Sequence, residues 1–220
     1  MGGFIEARPQ RCNKKYRERL LFGVGINDAW YVVKYQDSNG KHHECPKYAV
    51  WKGILERCYN NKGKAPAYLG CSMVNDWLRF SNFAKWYDEN YAIGKFIDKD
   101  ILVVGNLVYG PSTCLFVSRG LNNLLSGNSA GKFPQGVGLK GGRYRARCSN
   151  SQGKHVQIGA YTTCDQAERA YCVAKASVIT EAAHSEEALA DTRLHEALLR
   201  HAEVFTKRAE ELTKLINEKC

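Results

Sequence analysis

Residues 142–179 read GRYRARCSNSQGKHVQIGAYTTCDQAERAYCVAKASVI, and their pattern changes period once. As far as Tyr161 the β-forming residues come in short runs, with turns at Gly141-Gly142 and at SNSQG. From Thr163 onward the spacing is helical: Ala167, Ala170, Tyr171, Ala174 and Val178 share one face. Thr163 and Gln166 stand at capping-box spacing and mark the helix start. The stretch therefore predicts a β-β-β-α unit, with small alanines letting the helix lie close against the sheet. In the middle strand Arg143, Arg145 and Arg147 alternate at period two, so they share one face. Tyr144 and Ala146 then point the other way, toward the helix. Three guanidiniums side by side repel one another unless an anion lies across them. Arginine is also the side chain best suited to phosphate and to bidentate guanine contacts. Lys140 and Lys154 lie at the neighbouring turns, where they can hold phosphate.

The bulk numbers agree with an anionic partner. The 220 residues carry a formal charge of +10 and a pI near 9.2, which points to nucleic acid before membrane. No stretch approaches ~18 uninterrupted apolar residues, so no membrane span is expected. The opening MGGFIEARPQ has neither a signal organisation nor a myristoylation pattern, and the expected location is the cytoplasm. Nine cysteines without a C-x-x-C pair argue against a disulfide framework. Cys45, Cys58, Cys71 and Cys114, with His42 or His43, have zinc-compatible chemistry but not the spacing of a finger or ribbon. Buried apolar thiols are expected instead of a structural zinc.

Upstream, residues 1–20 form a polar, basic arm. YVVKY looks extended and DSNG at 37–40 is a turn signal. Pro46 opens a helix carrying Trp51, Ile54, Leu55 and Cys58, which NNKGKAP breaks. A second helix is predicted from about Asn75 to Glu89, with Val74, Trp77, Phe80, Phe83, Ala84 and Tyr87 forming a core-facing stripe. SGNSAGK at 126–132 reads as a linker. The last 35 residues form one long helix, on which Leu194, Leu198, Phe205, Leu212 and Ile216 follow a near-heptad seam. That seam serves packing on its own chain or a homodimer. The linear division is 1–128, 129–183 and 184–220.

Residues 97–123, IDKDILVVGNLVYGPSTCLFVSRGLNN, hold a second cluster. On a strand Asp98 and Asp100 share a face and can converge on a hard cation such as Mg²⁺, with Asn106 adding a neutral oxygen. Lys99 leaves the opposite face, and its flanking carboxylates stabilise the ammonium. It suits a cation near a scissile phosphate better than a general base. A charged hairpin edge explains the same residues without chemistry.

Two family resemblances overlie these readings. Residues 134–180 resemble the Apetala-two DNA-binding domains of plant transcription factors and phage endonucleases, through GV, GRYRAR, GKHVQIGAYTT, A-x-x-AY and the helix alanines. The resemblance implies a sheet face in the major groove, with Arg143, Arg145 and Arg147 as the contact row. Residues 96–124 resemble, more weakly, the HNH endonuclease motif. Ile97-Asp98-Lys99-Asp100 stands at its DH-I-D, Asn106 at its middle asparagine, Cys114-Leu115 at its NL, and Asn122-Asn123 closes the helix. The upstream block CPKYAVWKGILERCY, with W-x-x-F-x-x-FAKWY and DKDIL, is similar to phage-type endonucleases of this kind. The HNH histidine is missing, which leaves the general base to a metal-bound hydroxide or to His42 or His43.

Together these imply an α+β chain: an HNH-like ββα-metal domain, a three-stranded sheet with a helix, and a long C-terminal helix. The implied function is a phage- or mobile-element-encoded endonuclease working in the bacterial cytoplasm. It would nick double-stranded DNA with Mg²⁺ or Mn²⁺ at Asp98, Asp100 and Asn106, and Lys99 and Asn122 would complete the catalytic set. The alternative is a non-cleaving, sequence-specific repressor derived from a homing endonuclease. An integrase lacks a convincing tyrosine-with-arginines constellation.

Overall fold

The computed structural model describes residues 20–60, 68–125, 131–150 and 154–219. The basic arm, most of NNKGKAP, most of the 126–132 linker and part of SNSQG lie outside the described residues. The chain is α+β, with small sheets and a long C-terminal helix. It divides into two compact units that are discontinuous in sequence: Met1–Ile93 with Gly105–Phe116, and Gly94–Val104 with Val117–Cys220. The linear division places 94–104 and 117–128 with the N-terminal part and sets 184–220 apart.

In the first unit, β1 (Lys34–Gln36) and β2 (His42–Glu44) form an antiparallel hairpin. Its turn is built by Asp37, whose Oδ1 accepts the amides of Asn39 and Lys41, both at 2.9 Å. Helix α1 (Pro46–Tyr59) starts with proline in its first turn, where a missing N–H costs nothing. A parallel pair joins β3 (Ser72–Met73) to β5 (Val108–Tyr109).

The helix predicted over 75–89 is two elements. A 3₁₀ turn (Asn75–Leu78) precedes α2 (Phe80–Asn90), and Arg79 between them is extended. The cause is a competing backbone pairing: Ile26 N donates to Leu78 O at 2.8 Å and Phe80 N to Ile26 O at 3.0 Å. Asp28 then holds the start of α2, accepting from Ser81 N and Oγ at 2.8 Å each. The aromatic stripe is core, as its spacing required. Trp77, Phe80, Phe83 and Tyr87 are buried and pack edge-on or tilted with Trp51, Tyr48 and Trp86. Trp51 also donates its indole N–H to Trp77 O at 2.6 Å.

In the second unit, β4 (Phe96–Asp98) and α3 (Arg119–Leu125) pack together. Strand β6 (Leu115–Val117) runs across the unit boundary. The β-β-β-α unit is present: β7 (Val137–Lys140), β8 (Arg143–Ser149) and β9 (His155–Tyr161) form an antiparallel sheet in that order, followed by α4 (Cys164–Ala183). The capping box is present too, with Thr163 Oγ1 accepting from Gln166 N and Gln166 Oε1 from Thr163 N, both at 3.3 Å.

One face of β8 meets α4. Ala146 and Cys148 are buried with Ala167, Tyr171 and Cys172, and Tyr144 is half-buried against them. A short α5 (Glu186–Leu189) leads into α6 (Thr192–Glu218), which lies along α4. Much of the near-heptad seam of α6 packs inside the chain. Leu194, Leu198 and Leu212 are buried, and Phe205 packs on the α4 core. Arg208 to Glu168 at 2.9 Å and Lys219 to Asp165 at 2.7 Å flank the same contact.

Candidate nucleic-acid interface

The face of β7–β8–β9 turned away from α4 is assembled from cross-strand neighbours. Lys140 pairs with Arg143, Gly138 and Ala160 flank Arg145, Gln157 lies opposite Arg147, and His155 opposite Ser149. Arg143 and Arg147 are exposed and Arg145 is half-buried. All three strands together contain no aspartate or glutamate. Lys154 is exposed at the β8–β9 turn, where its amide donates to Asn150 Oδ1 at 2.9 Å.

Arg145 differs from its neighbours. Its Nε is buried without a hydrogen-bond partner among the described residues, and its Nη1 reaches Gln157 Oε1 only at 3.5 Å. A buried N–H left unmatched costs about 1–3 kcal/mol. With glycine on one side and alanine on the other, the centre of the face is a low floor with a guanidinium in it. Next to it, partners step from Ala146–Gly159 to Arg147–Gln157, so β9 carries one extra residue, Ile158. That bulge brings both Gln157 and Ala160 onto the arginine face. Strict alternation along the sequence would have put them on opposite faces, so neither was named from the sequence. His155 and Gln157, two apart, were the signal available.

The Asp98 cluster is arranged differently from its prediction. Strand β4 ends at Asp98, and residues 99–103 bend away. Asp98 and Asp100 therefore do not alternate on one strand face. Asp98 Oδ1 instead closes a local turn, accepting from Asp100 N at 2.7 Å and Ile101 N at 2.8 Å. Such side-chain closure competes with continuation of the strand, which is the physical reason for the change. Lys99 is buried, with Nζ 2.5 Å from Asp100 Oδ1. Two successive carbonyls of the bend are held by α6: Ile101 O accepts from His201 Nε2 at 3.0 Å and Leu102 O from Arg200 Nη2 at 3.3 Å. Burial pushes the Asp98 carboxyl above its usual range, opposed by the two amides, while the Asp100 charge adds to the rise.

Asn122 lies on α3 in the same unit, and Asn106 belongs to the first unit. Asn106 turns its amide on its own chain, accepting from Val108 N at 3.1 Å and donating to Val108 O at 2.8 Å. One oxygen of Asp98 faces two amides, one of Asp100 faces an ammonium, and both Asn106 amide atoms are engaged. Among the described residues, no group of three or more His, Cys, Asp or Glu is placed to hold a metal ion. Cys45, Cys71 and Cys114 are buried, and the Cys45 thiol lies 3.4 Å from the Tyr31 hydroxyl.

The two histidines left open as bases are now distinct. His43 Nε2 lies 2.8 Å from Asp37 Oδ2 and its ring stacks on Tyr35 at 4.9 Å, whereas His42 is exposed. The His43 contact holds the Asp37 carboxyl below its usual range. Compared with protein-family models, curated proteins and solved structures, the chain matches none. Function therefore rests on the arrangement of these residues.

The turn makes a prediction. A carboxyl whose folded pKa is raised favours folding below its ordinary value near 3.8. That contribution is lost as pH rises through the folded pKa. Asp98→Asn keeps an acceptor oxygen for both amides and has no charge to bury. It is expected to be at least as stable as the wild type at pH 7, and to lack this acid-side gain. Asp98→Ala loses both hydrogen bonds and should cost about 1–3 kcal/mol. Urea unfolding at pH 4 and pH 7 checks this, and equal loss in both variants would refute the turn-closing role.

Proposed function

We propose that this chain is a duplex-DNA-binding protein that grips DNA with the open face of β7–β8–β9. One observation carries it: Lys140, Arg143, Arg145 and Arg147 line a face whose strands hold no carboxylate, while α4 covers the other side. Lys154 adds a further exposed cation at the β8–β9 turn. A two-stranded or three-stranded ribbon fits the major groove, where arginine can meet guanine O6 and N7. Arg143 and Arg147, free toward solvent, suit phosphates, and Arg145 on its low floor suits a base edge. The Apetala-two-like resemblance points the same way. Affinity should fall steeply with salt, with a log–log slope of about −0.9 per phosphate neutralised. A binding titration on a fixed duplex between 50 and 300 mM salt tests this, and a flat response would refute it.

The second reading is endonuclease cleavage of the HNH-like kind. The observation favouring it is Lys99, an ammonium buried beside a carboxylate in the same unit as the basic sheet. Buried, charge-paired groups of this sort are found at functional sites as well as in structural ion pairs. Asp98, Lys99, Asp100 and Asn122 are the residues it would use. The turn closed by Asp98 accounts for these residues without a metal, so the non-cleaving reading comes first. Supercoiled plasmid incubated with the full chain and Mg²⁺ or Mn²⁺ decides the matter. Unchanged plasmid is expected, and nicking that EDTA abolishes and Asp98→Asn removes would establish the enzyme.

A further inference from the structure

At the junction of α4 and α6, two histidines present matching nitrogens. His184 is the C-cap of α4, and His195 lies near the start of α6. His184 Nδ1 is 2.8 Å from Thr180 O, and His195 Nδ1 is 2.8 Å from Ala183 O. A carbonyl oxygen can only accept, so each Nδ1 must carry the hydrogen. In the neutral imidazole that leaves Nε2 of both rings as a bare lone pair. Neither Nε2 has a hydrogen-bond partner among the described residues.

The ring centroids are 5.6 Å apart with planes at 84°. An ion about 2.0–2.1 Å from each Nε2 at a tetrahedral angle places two imidazole centroids roughly 5–6 Å apart. A backbone carbonyl on the far nitrogen is also the usual orienting partner of a metal-bound histidine. Capping of the α4 carbonyls explains the two Nδ1 contacts. It leaves the Nε2 of both rings unused.

We propose that His184 and His195 bind one divalent ion of the zinc class through their Nε2 atoms. Nitrogen donors exclude the hard cations Mg²⁺ and Ca²⁺ as the preferred occupant. With no three-residue cluster nearby among the described residues, water completes the shell. The site is separate from the basic sheet face and does not depend on the DNA-binding proposal. Its product is a cross-link between the end of α4 and the start of α6.

The test is a Zn²⁺ titration of untagged, ¹⁵N-labelled full chain followed by histidine ring ¹⁵N resonances. This readout separates imidazole binding from uptake by the nine cysteines. Nε2 of His184 and His195 should shift together and saturate at one ion per chain. In His184→Ala the His195 shift should require roughly tenfold or more zinc, and the reverse for His195→Ala. Zinc uptake that leaves both rings unmoved overturns the site, as does a His195 shift unchanged by His184→Ala. Mg²⁺ at the same concentration should move neither resonance.

Discussion

Replacing Arg143, Arg145 and Arg147 together by alanine is expected to lower affinity for duplex DNA at least a hundredfold at moderate salt. Each arginine contact to a phosphate or base edge contributes about 1–3 kcal/mol, and one factor of ten is about 1.4 kcal/mol. The salt slope should fall in the same experiment by about 0.9 for each phosphate contact removed. The three side chains lie on the face away from the α4 core, so the variant should unfold within about 1 kcal/mol of the wild type. Single variants divide the row. Arg143→Ala and Arg147→Ala should weaken all duplexes alike, whereas Arg145→Ala should also flatten the preference among sequences. Fluorescence anisotropy on a selected and a scrambled duplex measures both effects. Wild-type affinity in the triple variant would place the DNA-binding surface elsewhere on the chain.

How much of this was legible depended on whether a pattern was local. The period change at Thr163 and the alternation of Arg143, Arg145 and Arg147 are backbone-scale signals, and the β-β-β-α unit follows from them. The aromatic stripe was legible for the same reason. What escaped were features set by partners distant in sequence. Arg79 is extended because Ile26 pairs across it, and nothing near Arg79 announces Ile26. The bulge at Ile158 is a mismatch between two strands, visible only once they are paired. The alternation Asp-Lys-Asp predicts a strand at Asp98. Aspartate equally favours closing a turn on the amides that follow, and here that use prevails. The seam of α6 was correctly seen as apolar, but sequence could not say that α4 supplies its partner.

Gly136→Ala should be strongly destabilising. Gly136 has φ of +76°, a conformation that costs an L-residue roughly 1–2 kcal/mol. Its carbonyl accepts from Arg147 N at 2.8 Å, so this backbone cannot rotate without loosening β7 from β8. An added Cβ would stand 2.1 Å from Cδ2 of the Tyr171 ring. Tyr171 is itself buried, packed with Ala146, Cys148 and Leu212. Relief of such overpacking typically costs a further 1–3 kcal/mol, giving about 2–5 kcal/mol in all. Gly142→Ala separates the two contributions, because Gly142 has φ of +71° with nothing within 4 Å of the new Cβ. It should lose only the conformational part, about 1–2 kcal/mol. Urea unfolding of the two variants measures the difference. A Gly136→Ala protein no less stable than Gly142→Ala would mean that Tyr171 does not pack against this turn. The placement of α4 on the sheet would then have to be redrawn, and with it the choice of which sheet face is open to DNA.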